Sequence, residues 1–219
     1  MDSKTFIAGL VEEMHAVFAR LGEHETLEAE SGGQVEVVTL LKLALASELE
    51  ASELAGAWMP TTPEIDAKRV FAAQCGDEMR HYHLISQRLE ELGEDMSHFD
   101  PLAEGHSPLY EYMRTLGTTV ERIAAGPFTS EAIAEVRNDQ FITFCESIGD
   151  DETARLYREI IQPEEVHHHH LGREILEKYA VTPELQEMVA AATHNTLAIA
   201  DELRTLSEKA TGLTALPVS

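Results

Sequence analysis

Two copies of a Glu-x-x-His motif offer carboxylate and imidazole ligands at helical spacing. Glu78-Met79-Arg80-His81 is the first copy, and Glu165-Val166-His167-His168 is the second. On an α-helix, residues three apart lie on one face about a turn from each other, so the Glu and the His of each copy could bind one ion or two adjacent ions. Each copy therefore predicts half of a metal site.

Each copy also has a glutamate upstream at a similar distance along the chain. Glu48 precedes Glu78, and Glu131 precedes Glu165 by a slightly longer interval. The midpoint of each pair falls beside a predicted turn, so a helical hairpin would bring the upstream Glu to the level of its motif. Four carboxylates and two imidazoles would then meet, a set suited to a pair of redox-active metal ions.

Position in the chain has to separate these copies from chance matches, because the chain contains four Glu-x-x-His sequences. Glu12 and His15 lie in the first predicted helix, which has no upstream helix to pair with, and are interpreted as solvated surface. Glu164 and His167 overlap the second copy one residue out of step. Only one of these two registers can face the interior.

Apolar stripes accompany most of the candidate ligands. Burying a carboxylate or an imidazole in such a stripe is costly unless the group is paired or binds a metal. The stripes favour Glu48 on the second predicted helix, Glu78 and His81 on the third, and Glu165 and His168 on the sixth.

Glu131 does not follow this rule. The most apolar face of the fifth predicted helix carries Ile133, Val136 and Phe144, and Glu131 points away from its centre. Glu135 lies one turn further on and would repeat the interval that separates Glu48 from Glu78. Glu131 is the predicted ligand, with Glu135 as the alternative.

The composition predicts an all-α protein. Ala, Leu and Glu are abundant, and no stretch alternates as strands do. The chain is expected to form one domain over residues 1–219, with a bundle core at about 34–179 and additional helices at both ends. Proline, glycine and capping residues divide it into seven predicted helices at about 3–21, 34–58, 63–92, 108–126, 130–149, 151–179 and 183–212.

Several polar residues are predicted N-caps. They are Thr62 for the third helix, Thr129 or Ser130 for the fifth and Asp150 or Asp151 for the sixth, while Ser107-Pro108 and Thr182-Pro183 are predicted to open the fourth and the last. Residues 23–33 are predicted to form a loop and residues 213–219 a frayed tail.

Charge and cysteine content exclude several classes of function. The net charge of −24 argues against binding nucleic acid or an anionic membrane, because both would be repelled. No apolar run approaches the length of a membrane-spanning helix and no signal-peptide pattern is present, so a cytoplasmic protein is expected. The two cysteines, Cys75 and Cys145, form no Cys-x-x-Cys motif, which excludes a rubredoxin-type iron centre or a zinc ribbon. An apolar stripe on the first or last helix could mediate a homodimer.

The paired Glu…Glu-x-x-His halves resemble the di-iron carboxylate branch of the ferritin-like superfamily. Their spacings also resemble those of bacterial di-iron monooxygenase hydroxylases and ribonucleotide reductase small subunits. The segments 149–154 and 165–172 resemble a group of bacterial ferritin-like proteins. The resemblance covers about residues 34–178 and implies a ferritin-like four-helix bundle with additional N- and C-terminal helices. The implied ligands are Glu48, Glu78, His81, Glu131, Glu165 and His168, with Glu78 and Glu165 bridging the metals.

The resemblance also implies a function. Two Fe ions, with Mn as the alternative, would activate O2 for oxidation of a small organic substrate. The alternatives are a ferroxidase or iron-binding peroxide-stress protein without an organic substrate, and a partner subunit with a vestigial site. Ferritins proper lack the second motif, and a full rubrerythrin would carry a Cys-rich domain. Aromatic candidates for lining a substrate pocket are Phe71, Phe141, Phe144 and Tyr157, although core packing more commonly explains such residues.

Overall fold

The structure is a computed structural model and describes residues 1–22 and 36–211. Within those ranges the chain is all helical, without a strand, which confirms the predicted all-α class. None of the described helices combines the length and the apolar character that a membrane span requires. The predicted loop at 23–33 and the predicted tail at 213–219 lie outside the described residues.

The described helices follow each other along the chain in three groups. The first group is α1 (Ser3–Gly22), α2 (Val37–Thr61) and α3 (Ile65–Glu91). The second is α4 (Pro108–Met113), α5 (Thr119–Ile123) and α6 (Glu131–Ser147). The third is α7 (Asp151–Leu156), α8 (Gln162–Tyr179) and α9 (Pro183–Thr211). Two π-helical segments, Ala124–Ser130 and Tyr157–Ile161, join α5 to α6 and α7 to α8, so each pair forms one continuous helical run.

The pair Gly126-Pro127 does not end a helix, and the predicted stop there is wrong. Pro127 lies inside the π-helical segment Ala124–Ser130. A π-helical turn contains more backbone than an α-helical turn, which gives room where a proline ring would otherwise clash with the preceding turn. The predicted N-cap at Thr129 or Ser130 is also wrong, because Ser130 has helical φ and ψ and no side-chain capping bond.

The break in this region comes earlier, between Met113 and Thr119. The helix α4 begins at Pro108 as predicted, and Ser107 caps it, since its hydroxyl accepts a hydrogen bond from the backbone N–H of Tyr110. Thr118 then forms a capping box with Glu121, in which each side chain accepts from the other's backbone N–H. The predicted fourth helix is therefore divided into α4 and α5.

The turn after α2 differs in detail from its prediction. Pro60 lies within the last turn of the helix, which continues to Thr61 instead of stopping at Trp58. Thr62 is not an N-cap, because its hydroxyl donates to the carbonyl of Trp58 at 2.9 Å. Glu64 occupies the N-cap position of α3 and provides no side-chain capping bond.

Glycines end α3 and α6 as predicted. Gly93 has a φ of +96° and Gly149 a φ of +80°, a backbone region that favours glycine. After each glycine the next backbone N–H returns to the helix, from Glu94 to Leu89 at 3.0 Å and from Asp150 to Cys145 at 2.9 Å. This is the Schellman arrangement. Asp150 also caps α7, since it accepts from Thr153 N–H at 3.1 Å.

Two apolar clusters form the interior. Burial of each large side chain in them contributes roughly 1.5–3 kcal/mol. The first core joins α1 and α9 to the middle of the molecule and includes Ile7, Trp58, Phe71, Ile123, Phe128, Leu176 and Val189. The second core lies at the other end of the long helices and includes Leu40, Leu41, Ile85, Phe141, Tyr157 and Ile161.

Candidate metal centre

Six buried acidic and histidine side chains meet between the two cores. Their potential ligand atoms form two groups, and within each group the atoms lie within 4.8 Å of one another. Glu78 and Glu165 belong to both groups. The first group adds Glu48 and His81, and the second adds Glu131 and His168. The structure thus brings together all six residues predicted from the sequence, which we call the Glu/His cluster.

Each long helix carries its cluster residues between apolar residues that belong to the two cores. On α3, Phe71 belongs to the first core and Ile85 to the second, and Glu78 lies between them. On α8 and its π-helical extension, Glu165 lies between Ile161 of the second core and Leu176 of the first. The cluster is therefore enclosed from both ends, and each of its six residues is at most 3% exposed.

The structure distinguishes the two registers of the second motif. Glu165 and His168 are fully buried, whereas His167 is exposed and the side chain of Glu164 is 29% exposed. Only the Glu165/His168 register brings its carboxylate and imidazole into the cluster.

Glu131, and not Glu135, contributes to the cluster. Glu131 is 1% exposed, and Glu135 is half-buried outside it. The apolar pattern of this helix directs Glu131 away from the centre of its apolar face. In the structure, however, the first turn of α6 is buried on all sides, while Ile148 at the far end is 48% exposed. The π-helical segment before Glu131 packs against α8 and α9, and this contact buries the turn. The pattern of α6 alone does not reveal such a neighbour.

The two imidazoles face the cluster through Nδ1. Nδ1 of His81 lies 3.2 Å from Oε2 of Glu78, 3.3 Å from Oε2 of Glu48 and 3.4 Å from Oε1 of Glu165. Nδ1 of His168 lies 3.3 Å from Oε1 of Glu78 and 3.5 Å from Oε2 of Glu165. The two shared carboxylates thus contact both imidazoles.

A carboxylate from the opposite motif supports the outer nitrogen of each imidazole. Nε2 of His81 lies 2.8 Å from Oε2 of Glu164, and Nε2 of His168 lies 3.1 Å from Oδ2 of Asp77. Such bonds fix the orientation of a metal-binding imidazole and raise its basicity. The roles of Asp77 and Glu164 beside the histidines were not predicted from the sequence. The signal for them is an acidic residue immediately before the Glu of each motif.

The pKa shifts of the shared glutamates, Glu78 and Glu165, are opposite in direction to those of the unshared glutamates, Glu48 and Glu131. Burial raises the pKa of Glu48 and of Glu131 well above the usual range. Burial also acts to raise the pKa of Glu78 and of Glu165, but the adjacent imidazoles of His81 and His168 more than offset it and lower both pKa values. Two cations can therefore be held most directly by the shared pair.

The histidines supply the balancing charge when no metal is bound. Burial acts to lower the pKa of His168, but the adjacent carboxylates of Glu165 and Glu78 outweigh it and raise the pKa to about 12. The pKa of His81 is raised in the same way by Glu165, Glu48 and Glu78. Protons thus occupy positions suited to cations, and metal binding would release them.

Unpaired polar atoms are concentrated in the cluster. Among the described residues, buried atoms without a hydrogen-bond partner include Oε1 of Glu78, Oε2 of Glu131 and both carboxylate oxygens of Glu165. A buried polar atom without a partner costs roughly 1–3 kcal/mol. Cations among these oxygens would satisfy them, so the residues present fit a pair of metal ions.

A cavity of about 500 Å³ lies beside Glu131. Its inner end is formed by Trp58, Gln74, Gly126 and Glu131, and the side-chain amide of Gln74 donates to Glu131. The four aromatic residues proposed from the sequence do not line it. Phe71, Phe141, Phe144 and Tyr157 belong to the two cores instead.

Comparison with known proteins finds no match to the chain among family models, curated proteins or solved structures. The chemistry of the site therefore has to follow from its own geometry.

Proposed function

We propose that this chain is a ferritin-like di-iron carboxylate protein that activates O2 and oxidises a small organic substrate. The observation that carries the proposal is the sharing of Glu78 and Glu165 between two ligand groups, each completed by one further glutamate and one histidine. Three carboxylates and one imidazole per ion suit Fe(II), with Mn(II) as the alternative, and no thiolate belongs to either group.

Each residue of the cluster has a distinct role in this proposal. Glu48 and His81 would hold one ion, Glu131 and His168 the other, and the shared glutamates would bridge them. The bound metals would supply electrons and a binding place for O2. The protein's own contribution is to orient the imidazoles through Asp77 and Glu164 and to exclude water with the two cores.

The cavity favours an organic substrate. Its volume of about 500 Å³ lies within the range of small-molecule sites. It ends at Glu131, so a bound molecule would lie beside the ion held by Glu131 and His168. Ferroxidase activity is the second candidate, because the carboxylates of Glu50 and Glu104 along the same cavity would also attract Fe²⁺.

Metal content tests the proposal. Untagged protein is loaded anaerobically with Fe(II), freed of excess metal and measured by inductively coupled plasma mass spectrometry. The two ligand groups predict about two irons per chain, and Glu78→Ala or Glu165→Ala should remove most of the iron, because each group loses a ligand. Glu135→Ala is the matched control, since Glu135 lies on α6 outside the cluster.

Equal iron content in the wild type and both variants would reject the site. Exposure of the loaded protein to O2 then separates the two activities. An oxidase or oxygenase consumes O2 over many turnovers when a reductant and an organic substrate are supplied. A ferroxidase consumes O2 only in proportion to the Fe(II) added.

A further inference from the structure

The cavity beside Glu131 has two carboxylates at its opening. The opening is formed by α2 and by the loop before α4, which contribute Glu50, Glu104 and His106. Neither lysine nor arginine occurs among the described residues that line the cavity. A carboxylate, phosphate or sulfate group entering here would be repelled by the two carboxylates.

Glu50 is fixed at the edge of this opening. The backbone N–H of Ser107 donates to its Oε1 at 2.5 Å, and the Ser107 hydroxyl donates to its Oε2 at 2.6 Å. Nδ1 of His106 lies 3.5 Å from the same Oε1. Glu104 is exposed and forms no ion pair among the described residues. The opening therefore has one positioned carboxylate and one free to turn towards a ligand.

Apolar side chains separate the opening from the inner end. The inner end is polar, because Oε1 of Gln74 and Oε2 of Glu131 are buried there without hydrogen-bond partners. With metal bound, much of the charge of Glu131 would be neutralised. The carboxylates at the opening would then decide which end of a ligand faces outwards. The apolar wall between the two ends includes Leu54, Leu109 and Met113.

We propose that this cavity binds an amphiphilic molecule with an aliphatic body and a protonated amine as its head group, and that it excludes the corresponding acids. The amine would lie at the opening, within the field of Glu50 and Glu104, and the aliphatic body would extend towards Glu131. The inference rests on the proposed function and names its substrate class.

Trp58 allows binding to be measured directly. It is the only tryptophan of the chain, it lines the cavity, and it is 4% exposed. Its fluorescence is titrated with octylammonium, octan-1-ol and octanoate, which share a chain and differ in head group. Octylammonium should bind at least about tenfold more tightly than octanoate, with octanol between them. Equal affinities, tighter octanoate binding, or an emission that none of the three ligands changes would overturn the proposal.

A pair of variants distinguishes binding of the amine in the cavity from its nonspecific attraction to a chain of net charge −24. Ala51→Phe places a ring in the cavity, whereas Ala57→Phe places the same ring on the exposed side of α2. We expect Ala51→Phe to weaken octylammonium binding by about tenfold or more and Ala57→Phe to leave it unchanged. Equal effects of the two would show that the amine binds elsewhere.

A second pair of variants tests the head group. Glu104→Gln removes a charge at the opening, and Glu187→Gln removes an exposed charge on α9. Only Glu104→Gln should lower the ratio of the octylammonium affinity to the octanoate affinity, by about two- to fivefold. Iron content is measured on the same samples. Octylammonium binding without iron binding rejects the di-iron function, whereas iron-loaded protein that does not prefer the amine rejects only the substrate class.

Discussion

The two halves of the candidate metal centre have the same types of side chain but different surroundings. Each half combines one glutamate, one Nδ1-facing histidine and the shared pair Glu78 and Glu165. In the first half Glu48 lies near Tyr157 of the second core, whose pKa is raised by burial first and then by Glu48. In the second half Glu131 borders the cavity and accepts a hydrogen bond from Gln74.

Under the proposed function, this asymmetry would give the two ions different surroundings. Glu48 is not among the described residues that line the cavity, so a molecule in the cavity would meet the ion of the Glu131 half first. The ion of the Glu48 half would be surrounded by protein. Under the proposed function, the ion of the Glu131 half would therefore lie closer to a bound substrate than the ion of the Glu48 half.

The largest expected effect comes from removing one unshared glutamate at a time. Glu48→Ala and Glu131→Ala should each lower the iron content from about two to about one per chain, because each leaves the other ligand group complete. Only Glu131→Ala should also change the response of Trp58 fluorescence to iron, since Glu131 and Trp58 line the same cavity. The measurements are metal analysis and fluorescence titration. Identical fluorescence responses in both variants would contradict the asymmetry.

A smaller effect is expected from the carboxylates that support the histidines. Asp77→Asn and Glu164→Gln keep the shape of each side chain but remove the charge that faces His168 or His81. Each should weaken metal binding by about 10–100-fold. A competition titration with a metal chelator measures this change. If only one of the two variants weakens metal binding, the two halves differ in how strongly a carboxylate holds the histidine, and not only in their distance from the cavity.

The smallest effect concerns the packing that positions the second half. A Cβ on Gly172 would lie 2.7 Å from the backbone nitrogen of Phe128, so Gly172→Ala forces α8 away from the π-helical segment. We expect a loss of roughly 1–3 kcal/mol in the free energy of unfolding. Gly76→Ala is the control, since nothing lies within 4 Å of a Cβ there and alanine favours the helix by roughly 0.5–1 kcal/mol.

Denaturant unfolding of both glycine variants provides the measurement. Iron affinity should fall in Gly172→Ala and stay unchanged in Gly76→Ala. Equal stability of the two would show that the contact between α8 and the π-helical segment is not required.

Much of the site was predictable because helical periodicity is local. The spacing of Glu78 and His81 within α3, and the apolar residues around them, follow from the sequence alone. The same reasoning located Glu48, Glu165 and His168. The predicted helix end at Gly126-Pro127 is wrong. Proline normally ends an α-helix, whereas here the helix continues through a π-helical turn.

The cavity could not be predicted, because residues distant in sequence form it. Trp58 from α2, Gln74 from α3 and Glu131 from α6 meet only after the helices have packed. Aromatic residues at helical spacing drew attention to Phe71 and Tyr157 instead, and these fill the cores.

The amino-acid sequence determined the all-α class, the ends of most helices and the identity of the candidate ligands, since these depend on periodicity, capping and residue chemistry within a few turns. Tertiary structure alone decided that Glu131 turns inwards, that Asp77 and Glu164 support the histidines crosswise, and that a cavity opens on one half of the centre. The physical reason is that burial and charge depend on which helices lie side by side, and no single helix carries that information.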